Sequence, residues 1–205
     1  MAVITISRQL GSGGAIIARL VAEELGFRVL GRDIIDAVAV RAGVSNEVVR
    51  SLDEQALDWV GGFIRSFGHS LQGQPITQES YAYIVSQVIR NAARSENLVV
   101  LGRGGQVILG QVPGTFHVHV VAPLPDRIAN LKTYENVDNV TARQRIQESD
   151  AVRRRFVMLV GRHDWEDPLI YDLIVNTHRL RPERVAGLIV DAARRAGVLD
   201  RHYLV

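Results

Sequence analysis

A glycine-rich turn between an apolar strand and an apolar helix is the first segment that could do chemistry. The turn comprises Gly11, Ser12, Gly13 and Gly14, and Ala15 begins the helix. Glycines let backbone N–H groups turn inward around an anion, and a helix N-terminus carries partial positive charge. We therefore predict that these five residues bind phosphate; a tight turn that serves only close packing is the alternative.

The turn departs from the phosphate-binding pattern GxxxxGK[ST] at its charged positions. With Gly13 aligned on the last glycine of the pattern, Gly14 falls at the lysine and Ala15, followed by Ile16, at the hydroxyl residue. The single lysine of the chain lies far away in the sequence. The loop therefore offers N–H donors without that charge, and we predict Arg8, the nearest cation, as a catalytic residue.

Arginines that follow later strands are further candidates for anion binding. Arg32 and Asp33 follow the second predicted strand and could receive an acceptor, although Asp33 is better suited to cap a helix. Arg103 lies in a glycine-flanked turn after an apolar strand. A fixed cation at the carboxyl edge of a parallel sheet favours an anion over a solvated loop as its explanation.

One predicted helix carries Asp150 and three adjacent arginines, Arg153, Arg154 and Arg155. Asp150 is spaced by three and four residues from the first two arginines, so it should face both. A solvated surface with internal ion pairs is the ordinary explanation. Phosphoryl transfer, however, needs cations that neutralise phosphate oxygens, and three adjacent arginines suit that purpose.

Composition limits the classes of function. The chain has 205 residues, of which 47% are hydrophobic and 22% charged, as expected for one globular domain. It has no cysteine, which excludes disulfides and thiolate zinc sites. His117 and His119 share one face of a predicted strand, but no third ligand is recognisable nearby, so no metal site is predicted.

Charge and hydropathy bear on partners and location. A formal net charge of +2 does not favour nucleic acid as a partner. The sequence contains neither a long apolar run nor a signal-peptide pattern, so we expect a cytoplasmic protein without a membrane partner. A homodimer is left open, because the apolar residues between Trp59 and Phe67 could pack internally or against another subunit.

The hydrophobic pattern predicts strands that alternate with helices. The predicted strands are Val3–Ser7, Phe27–Leu30, Leu98–Leu101, Phe116–Ala122 and Tyr171–Val175. Helices are predicted behind the glycine turn and over Ile34–Ala42, Tyr81–Ala93, Asp126–Leu131, Thr141–Val160 and Pro182–Ala196. We predict a three-layer α/β/α domain with a five-stranded parallel sheet. Residues 44–95 show helical patterns without a convincing strand, as in a helical insertion.

Four segments together resemble one known family over nearly the whole chain. They are ITISRQLGSGG, LGRDII, VVLGRGGQVIL and the series D-x-x-R…F…W-x-D-P…Y-D-L-x-x-N-T from Asp150 to Thr177. The chain resembles the cytidylate kinase-like family of P-loop nucleoside monophosphate kinases. The resemblance implies a P-loop NTPase-type core, a helical monophosphate-binding insertion around residues 43–95 and an arginine-bearing lid around residues 138–168.

The resemblance also implies ligands and roles. ATP and Mg²⁺ are the expected cofactors, and a nucleotide or other phosphate-bearing small molecule is the expected partner. The Gly11–Gly14 loop would hold ATP phosphates, and Arg32, Asp33 and Arg103 would face the acceptor. Arg153 or Arg154 would close over the transferred group, within a lid that includes Asp150 and Arg155.

The sequence differs from authentic cytidylate kinases at three positions. Those enzymes carry lysine and threonine where Gly14 and Ile16 stand, and aspartate where Gly104 follows Arg103. Two hypotheses follow. One is a kinase that phosphorylates CMP, dCMP or a related small acceptor, with its charge supplied by arginines. The other is a nucleotide-binding sensor that has lost transferase activity.

Overall fold

The computed structural model describes residues 1–31 and 78–199, together with the backbone of residues 70–71 and 74–75. In chain order the elements are β1 (Val3–Arg8), α1 (Gly14–Leu25), β2 (Arg28–Leu30), β3 (Ser70–Leu71), β4 (Gln74–Pro75), α2 (Gln78–Ser95), β5 (Leu98–Leu101), α3 (Gly105–Leu109), β6 (Thr115–Val121), α4 (Leu124–Glu135), α5 (Asn139–Gly161), β7 (Leu173–Asn176) and α6 (Pro182–Arg195). A single 3₁₀ turn at Pro168–Ile170 precedes β7.

Five of the strands form one parallel sheet in the order β2-β5-β1-β6-β7. The first strand is central, with Val3 opposite Leu98 of β5 on one side and Thr115 of β6 on the other. The predicted α/β fold with a five-stranded parallel sheet is confirmed. Because parallel strands end at the same edge, the turns that follow β1 and β5 lie side by side.

Alternation along β1 divides the core into two layers. Ile4 and Ile6 are fully buried on the face covered by α1 and α6, while Val3 belongs to the cluster beneath α2 and α3. Full burial of such aliphatic side chains contributes about 1.5–3 kcal/mol each. In the described part of the chain, every helix is too short or too polar to cross a membrane.

The region from 44 to 95 differs in part from its predicted helical character. Helix α2 confirms the helix predicted over Tyr81–Ala93, but β3 and β4 form a short antiparallel pair with Ser70 opposite Pro75. The predicted helix Ile34–Ala42 and the apolar segment Trp59–Phe67 lie outside the described residues.

A buried aromatic cluster fixes the segment between α5 and β7. Trp165 is 1% exposed, and its Nε1 donates to Ser7 Oγ at the end of β1 (2.8 Å). The His119 ring meets the Trp165 ring edge-on and stacks on that of Tyr171, with centroids 5.1 and 4.7 Å away. The Tyr171 hydroxyl donates to the Trp165 carbonyl (2.7 Å). The chain beyond α5 is thereby held against the central strand.

His119 is the titratable group at the centre of this cluster. It is 3% exposed, and its buried Nδ1 has no hydrogen-bond partner among the described residues. Burial lowers the pKa of His119 to about 4, against the opposing attraction of Asp150 and Glu166. His117, on the same strand face, contacts Thr5 Oγ1 through Nδ1 (2.8 Å) and the Gly110 carbonyl through Nε2 (2.8 Å), so its ring is held by structural contacts.

Acidification should destabilise the fold through His119. Its folded-state pKa lies below that of an exposed histidine, so the unfolded chain takes up the proton first as the pH falls. The free energy of unfolding therefore falls as the pH drops from about 6.5 toward about 4. Between about pH 7.5 and about pH 5 we expect the loss to be about 2 kcal/mol. His119→Phe should keep the ring stack and reduce that loss, as measured by urea unfolding at both pH values. The control is His163→Gln, which changes an exposed histidine. If His119→Phe loses as much free energy of unfolding between the two pH values as the wild-type protein does, the loss does not come from His119.

Candidate phosphate-binding site

The turn between β1 and α1 presents a set of unengaged backbone donors. Gly11 and Gly13 both adopt left-handed conformations (φ 81°), and Gly13 caps α1 without a side-chain hydrogen bond. The N–H groups of Gly11, Gly13, Gly14 and Ala15 form no hydrogen bond with any described residue. Left-handed residues within a turn let successive N–H groups surround an anion, and the positive end of α1 adds to this potential.

Four carbonyl groups between Arg8 and Ser12 accept hydrogen bonds from side chains of α4, of α5 and of the residue after β7. The donors are Arg153 Nη1 to Arg8 O (2.9 Å), Arg127 Nε to Leu10 O (2.7 Å), Asn130 Nδ2 to Gly11 O (2.8 Å) and Thr177 Oγ1 to Ser12 O (3.0 Å). In a trans peptide the carbonyl and the following N–H point in opposite directions. Holding the Leu10 and Ser12 carbonyls therefore turns the N–H groups of Gly11 and Gly13 away from those side chains.

Asp150 and Arg127 hold both polar groups of Leu10. Asp150 Oδ1 accepts from the Leu10 N–H (3.1 Å), while Arg127 binds the Leu10 carbonyl and forms an ion pair with Asp150 Oδ2. Both side chains are buried, with Asp150 8% and Arg127 5% exposed. A buried charge is tolerated when its partner and its hydrogen bonds are in place, and here both conditions are met.

The predicted pairing of Asp150 with both arginines is half wrong. Arg153 Nη1 lies 3.4 Å from Asp150 Oδ1 and also reaches the end of β1. Arg154 instead donates to Glu166 (2.7 Å) and lies over the Trp165 ring, 5.8 Å from its centroid. Successive residues of a helix point about 100° apart, so the two arginines serve different neighbours.

Arg8 extends from the first residue of α1 to the turn after β5. A Cβ atom on Gly14 would lie 2.5 Å from Arg8 Cβ, and one on Gly102 would lie 1.9 Å from Arg8 Nη1. Gly102, Arg103 and Gly104 are all left-handed, with φ of 74°, 55° and 64°. An arginine in that conformation is uncommon and carries strain, which marks this turn as a candidate functional feature.

Arg103 adds a second cation at this turn. Its Nη1 donates to the Tyr81 hydroxyl of α2 (2.9 Å), and the Tyr81 ring meets Phe156 of α5 edge-on. Burial lowers the pKa of Arg153 to about 10; Asp150 opposes this shift, and the charges of Arg127 and Arg103 add to it. Arg153 is still protonated at neutral pH, so the arginines of this region make it strongly electropositive and suited to an anion.

The structure brings together most of the predicted site residues. Gly11–Ala15, Arg8, Asp150 and Arg153 meet at the end of β1, with Arg103 on the neighbouring turn. Arg154 faces residues 165–166, and Arg155 is exposed. Arg32 and Asp33 lie outside the described residues, so their acceptor role stays a prediction.

Sequence reasoning missed Arg127, Asn130 and Tyr81 as site residues, and gave Thr177 no role. A signal for Arg127 was present, because its spacing puts it on the same face of α4 as Leu124 and Leu131. A charged residue on the apolar face of a helix indicates a buried ionic partner. The partner itself, 23 residues later in the chain, could not be inferred from spacing.

The described residues suit an anion better than a metal ion. The hydroxyl position of the phosphate-binding pattern holds Ala15, and Asp150 is occupied by Leu10, Arg127 and Arg153. Within residues 1–31 and 78–199, no three histidine or carboxylate side chains are grouped to hold a metal.

A parallel sheet whose central strand leads through a glycine turn into a helix defines an α/β protein with the P-loop kinase fold. Comparison with known families agrees, because the profile of the cytidylate kinase-like family matches residues 3–179. The chain belongs to this family.

Two curated relatives match to different extents. A cytidylate kinase from Ignicoccus hospitalis is 28% identical over 191 residues, covering 92% of this chain and 97% of that protein. A uronate isomerase from Corynebacterium glutamicum is 28% identical over 103 residues, half of this chain. The match to the isomerase spans only 20% of that protein's length.

Solved structures share the fold at low sequence identity. An uncharacterized protein from Eubacterium ventriosum superposes with a TM-score of 0.70 at 19% identity, covering 95% of this chain and 99% of that one. A shikimate kinase from Acinetobacter baumannii in complex with shikimate gives 0.54 at 14% identity, with 96% and 94% covered. At these identities the likeness shows the fold alone.

Removing the Asp150 carboxylate should be costly to the fold. Asp150→Asn leaves the Arg127 charge buried without its counter-ion, for an expected loss of about 3–5 kcal/mol in the free energy of unfolding. Glu135→Gln is the matched control, because it breaks an exposed ion pair with Arg145 and should cost less than about 1 kcal/mol. Urea denaturation measures both. Equal small losses would show that the buried pair does not hold the turn.

Proposed function

We propose that this protein transfers the γ-phosphoryl group of ATP to CMP, dCMP or a related small acceptor. The observation that carries the proposal is the turn after β1, which has four N–H groups that no described residue engages and carbonyls held by Arg153, Arg127, Asn130 and Thr177. Membership of the cytidylate kinase-like family and the cytidylate kinase relative support it. The proposed partners are thus nucleotides, with neither nucleic acid nor membrane, and the proposed location is the cytoplasm.

The proposed reaction is an in-line displacement. An oxygen of the acceptor phosphate attacks the γ-phosphorus, the bond from that phosphorus to the β–γ bridging oxygen breaks, and the products are ADP and a nucleoside diphosphate. The acceptor oxygen is already ionised at neutral pH, so no protein base is needed. The protein's contribution is to position both substrates and to stabilise their negative charge.

Each part of the site has a role in this proposal. The amides of Gly11–Ala15 and the start of α1 hold the donor phosphates. Arg103 holds the acceptor phosphate, and its bond to Tyr81 orients the guanidinium. Arg153, fixed by Asp150 and by the carbonyl of Arg8, faces the transferred group, while Arg154 and Arg155 belong to the proposed lid.

A nucleotide-binding protein without transferase activity is the second candidate. It is favoured by Gly14 and Ala15, which leave the loop without the lysine and hydroxyl of the phosphate-binding pattern. Loss of one group that stabilises transition-state charge costs about 3 kcal/mol, so the arginines would have to compensate for more than one. This candidate predicts binding of ATP or CMP without product.

The experiment that separates the candidates is a coupled assay of nucleoside diphosphate formation. Purified protein is supplied with ATP, Mg²⁺ and a panel of monophosphates that includes CMP and dCMP, and ATP and CMP binding is titrated by calorimetry. Turnover on a monophosphate supports the kinase. Binding without turnover supports the sensor, and neither binding nor turnover would contradict both.

Arg153→Ala should lower kcat by about 100- to 1,000-fold, because it removes a fixed cation from the developing charge. Arg145→Ala, on the exposed side of the same helix, should leave kcat unchanged. Turnover by the coupled assay and the melting temperature are measured together for both variants. Unchanged kcat in folded Arg153→Ala would remove this residue from the mechanism.

Arg103→Ala should act on the acceptor more than on the donor. Loss of a charged hydrogen bond to the acceptor phosphate, worth about 1.5–3 kcal/mol, should raise KM for the monophosphate by at least about tenfold. The calorimetric Kd for ATP should change much less. Tyr81→Phe, which removes only the hydroxyl that orients Arg103, should give a smaller shift in the same direction. A larger effect on ATP than on acceptor would contradict the assignment.

A further inference from the structure

The glycine at the lysine position of the phosphate-binding pattern has a steric explanation. Gly14 is the first residue of α1 and has no positive φ, so its backbone alone does not require glycine. A Cβ there would, however, lie 2.5 Å from Arg8 Cβ and 2.9 Å from Arg8 Cγ. Contacts below 3.0 Å do not occur for real Cβ atoms. The stem of Arg8 therefore fills the space through which a side chain at position 14 would leave the helix.

We infer that Arg8 takes the place of the missing lysine, so that the phosphate-contacting cation is supplied by the end of β1 and not by α1. The inference rests on the proposed function, because it names the residue that contacts the donor phosphate. Because the closest contact of a Cβ on Gly14 is the Cβ of Arg8, positions 8 and 14 cannot both carry a side chain. Arginine at 8 requires glycine at 14, and a lysine at 14 requires glycine at 8.

The direction of the Arg8 side chain supports this role. Arg8 Nη1 packs against Gly102, so closely that a Cβ on Gly102 would lie 1.9 Å from it. Gly102 begins the turn that carries Arg103, and its N–H bonds to the Ile6 carbonyl of β1 (3.0 Å). The guanidinium thus lies between the donor turn after β1 and the proposed acceptor turn after β5. Negative charge develops between donor and acceptor phosphates during transfer.

The base of the side chain is fixed on two sides. Arg8 is the last residue of β1 and is opposite Val120 of β6. Its carbonyl accepts from Arg153 Nη1 (2.9 Å), which ties it to α5. A cation whose backbone is held in this way is preorganised, as electrostatic stabilisation of a transition state requires.

A double-mutant cycle between positions 8 and 14 tests the inference. The variants are Arg8→Gly, Gly14→Lys and the combined Arg8→Gly/Gly14→Lys, with Arg8→Gln as a neutral variant of similar shape. Calorimetric Kd values for ATP and for inorganic tripolyphosphate are measured with melting temperatures and turnover. We expect Arg8→Gly and Arg8→Gln to weaken tripolyphosphate binding by at least about tenfold. Gly14→Lys alone should lower the melting temperature, and the combined variant should bind more tightly than Arg8→Gly.

The outcomes separate this inference from the proposed function. If the wild-type protein binds tripolyphosphate and Arg8→Gln binds it equally well, Arg8 is not the replacement and only this inference fails. The inference also fails if Gly14→Lys changes binding and melting temperature equally in both backgrounds, because the two positions are then independent. If the wild-type protein binds neither ATP nor tripolyphosphate, the proposed function fails and the inference fails with it.

Discussion

The site depends on the hydrogen bonds by which Asp150 and Arg127 hold the backbone of one residue, Leu10. The Asp150 carboxylate accepts a hydrogen bond from the Leu10 N–H, and the Arg127 guanidinium donates one to the Leu10 carbonyl. The two side chains also form an ion pair with each other. Such a buried pair is a weak source of net stability, because desolvation offsets most of its attraction. Its value lies in geometry: α4 and α5, packed through Leu131 and Ile146, fix the turn before any ligand arrives.

The long helix α5 joins the two halves of the site. Near its middle, Asp150 and Arg153 hold the turn after β1. One to two turns later, Phe156 and Val160 pack so closely on Gly104 that a Cβ there would lie 2.8 Å from Val160. That contact explains in part why glycine follows Arg103. The position of the turn after β5 relative to the turn after β1 thus follows from the packing of one helix.

Arginine side chains surround a loop that has no lysine of its own. Guanidinium groups remain charged even when buried, as Arg153 illustrates: burial lowers its pKa only to about 10. They also bind carbonyls, carboxylates and phosphates with the same planar donors. Arg153 therefore holds the Arg8 carbonyl at the start of the loop and also adds positive charge beside the loop. A lysine ammonium group is less suited to do both, because it lacks the planar set of donors.

The sequence by itself determined the sheet, the glycine turn and some of the charged residues around it. The alternation of β1, the helical spacing of α1 and α5 and the glycines after β1 are local signals, so the fold class and the place of the glycine turn followed from them. Only the tertiary structure decided which arginines act together. The Arg127–Asp150 pair joins two helices, Arg154 points to Glu166, and Arg8 excludes a side chain at Gly14, since these contacts depend on how elements pack and not on spacing within one element.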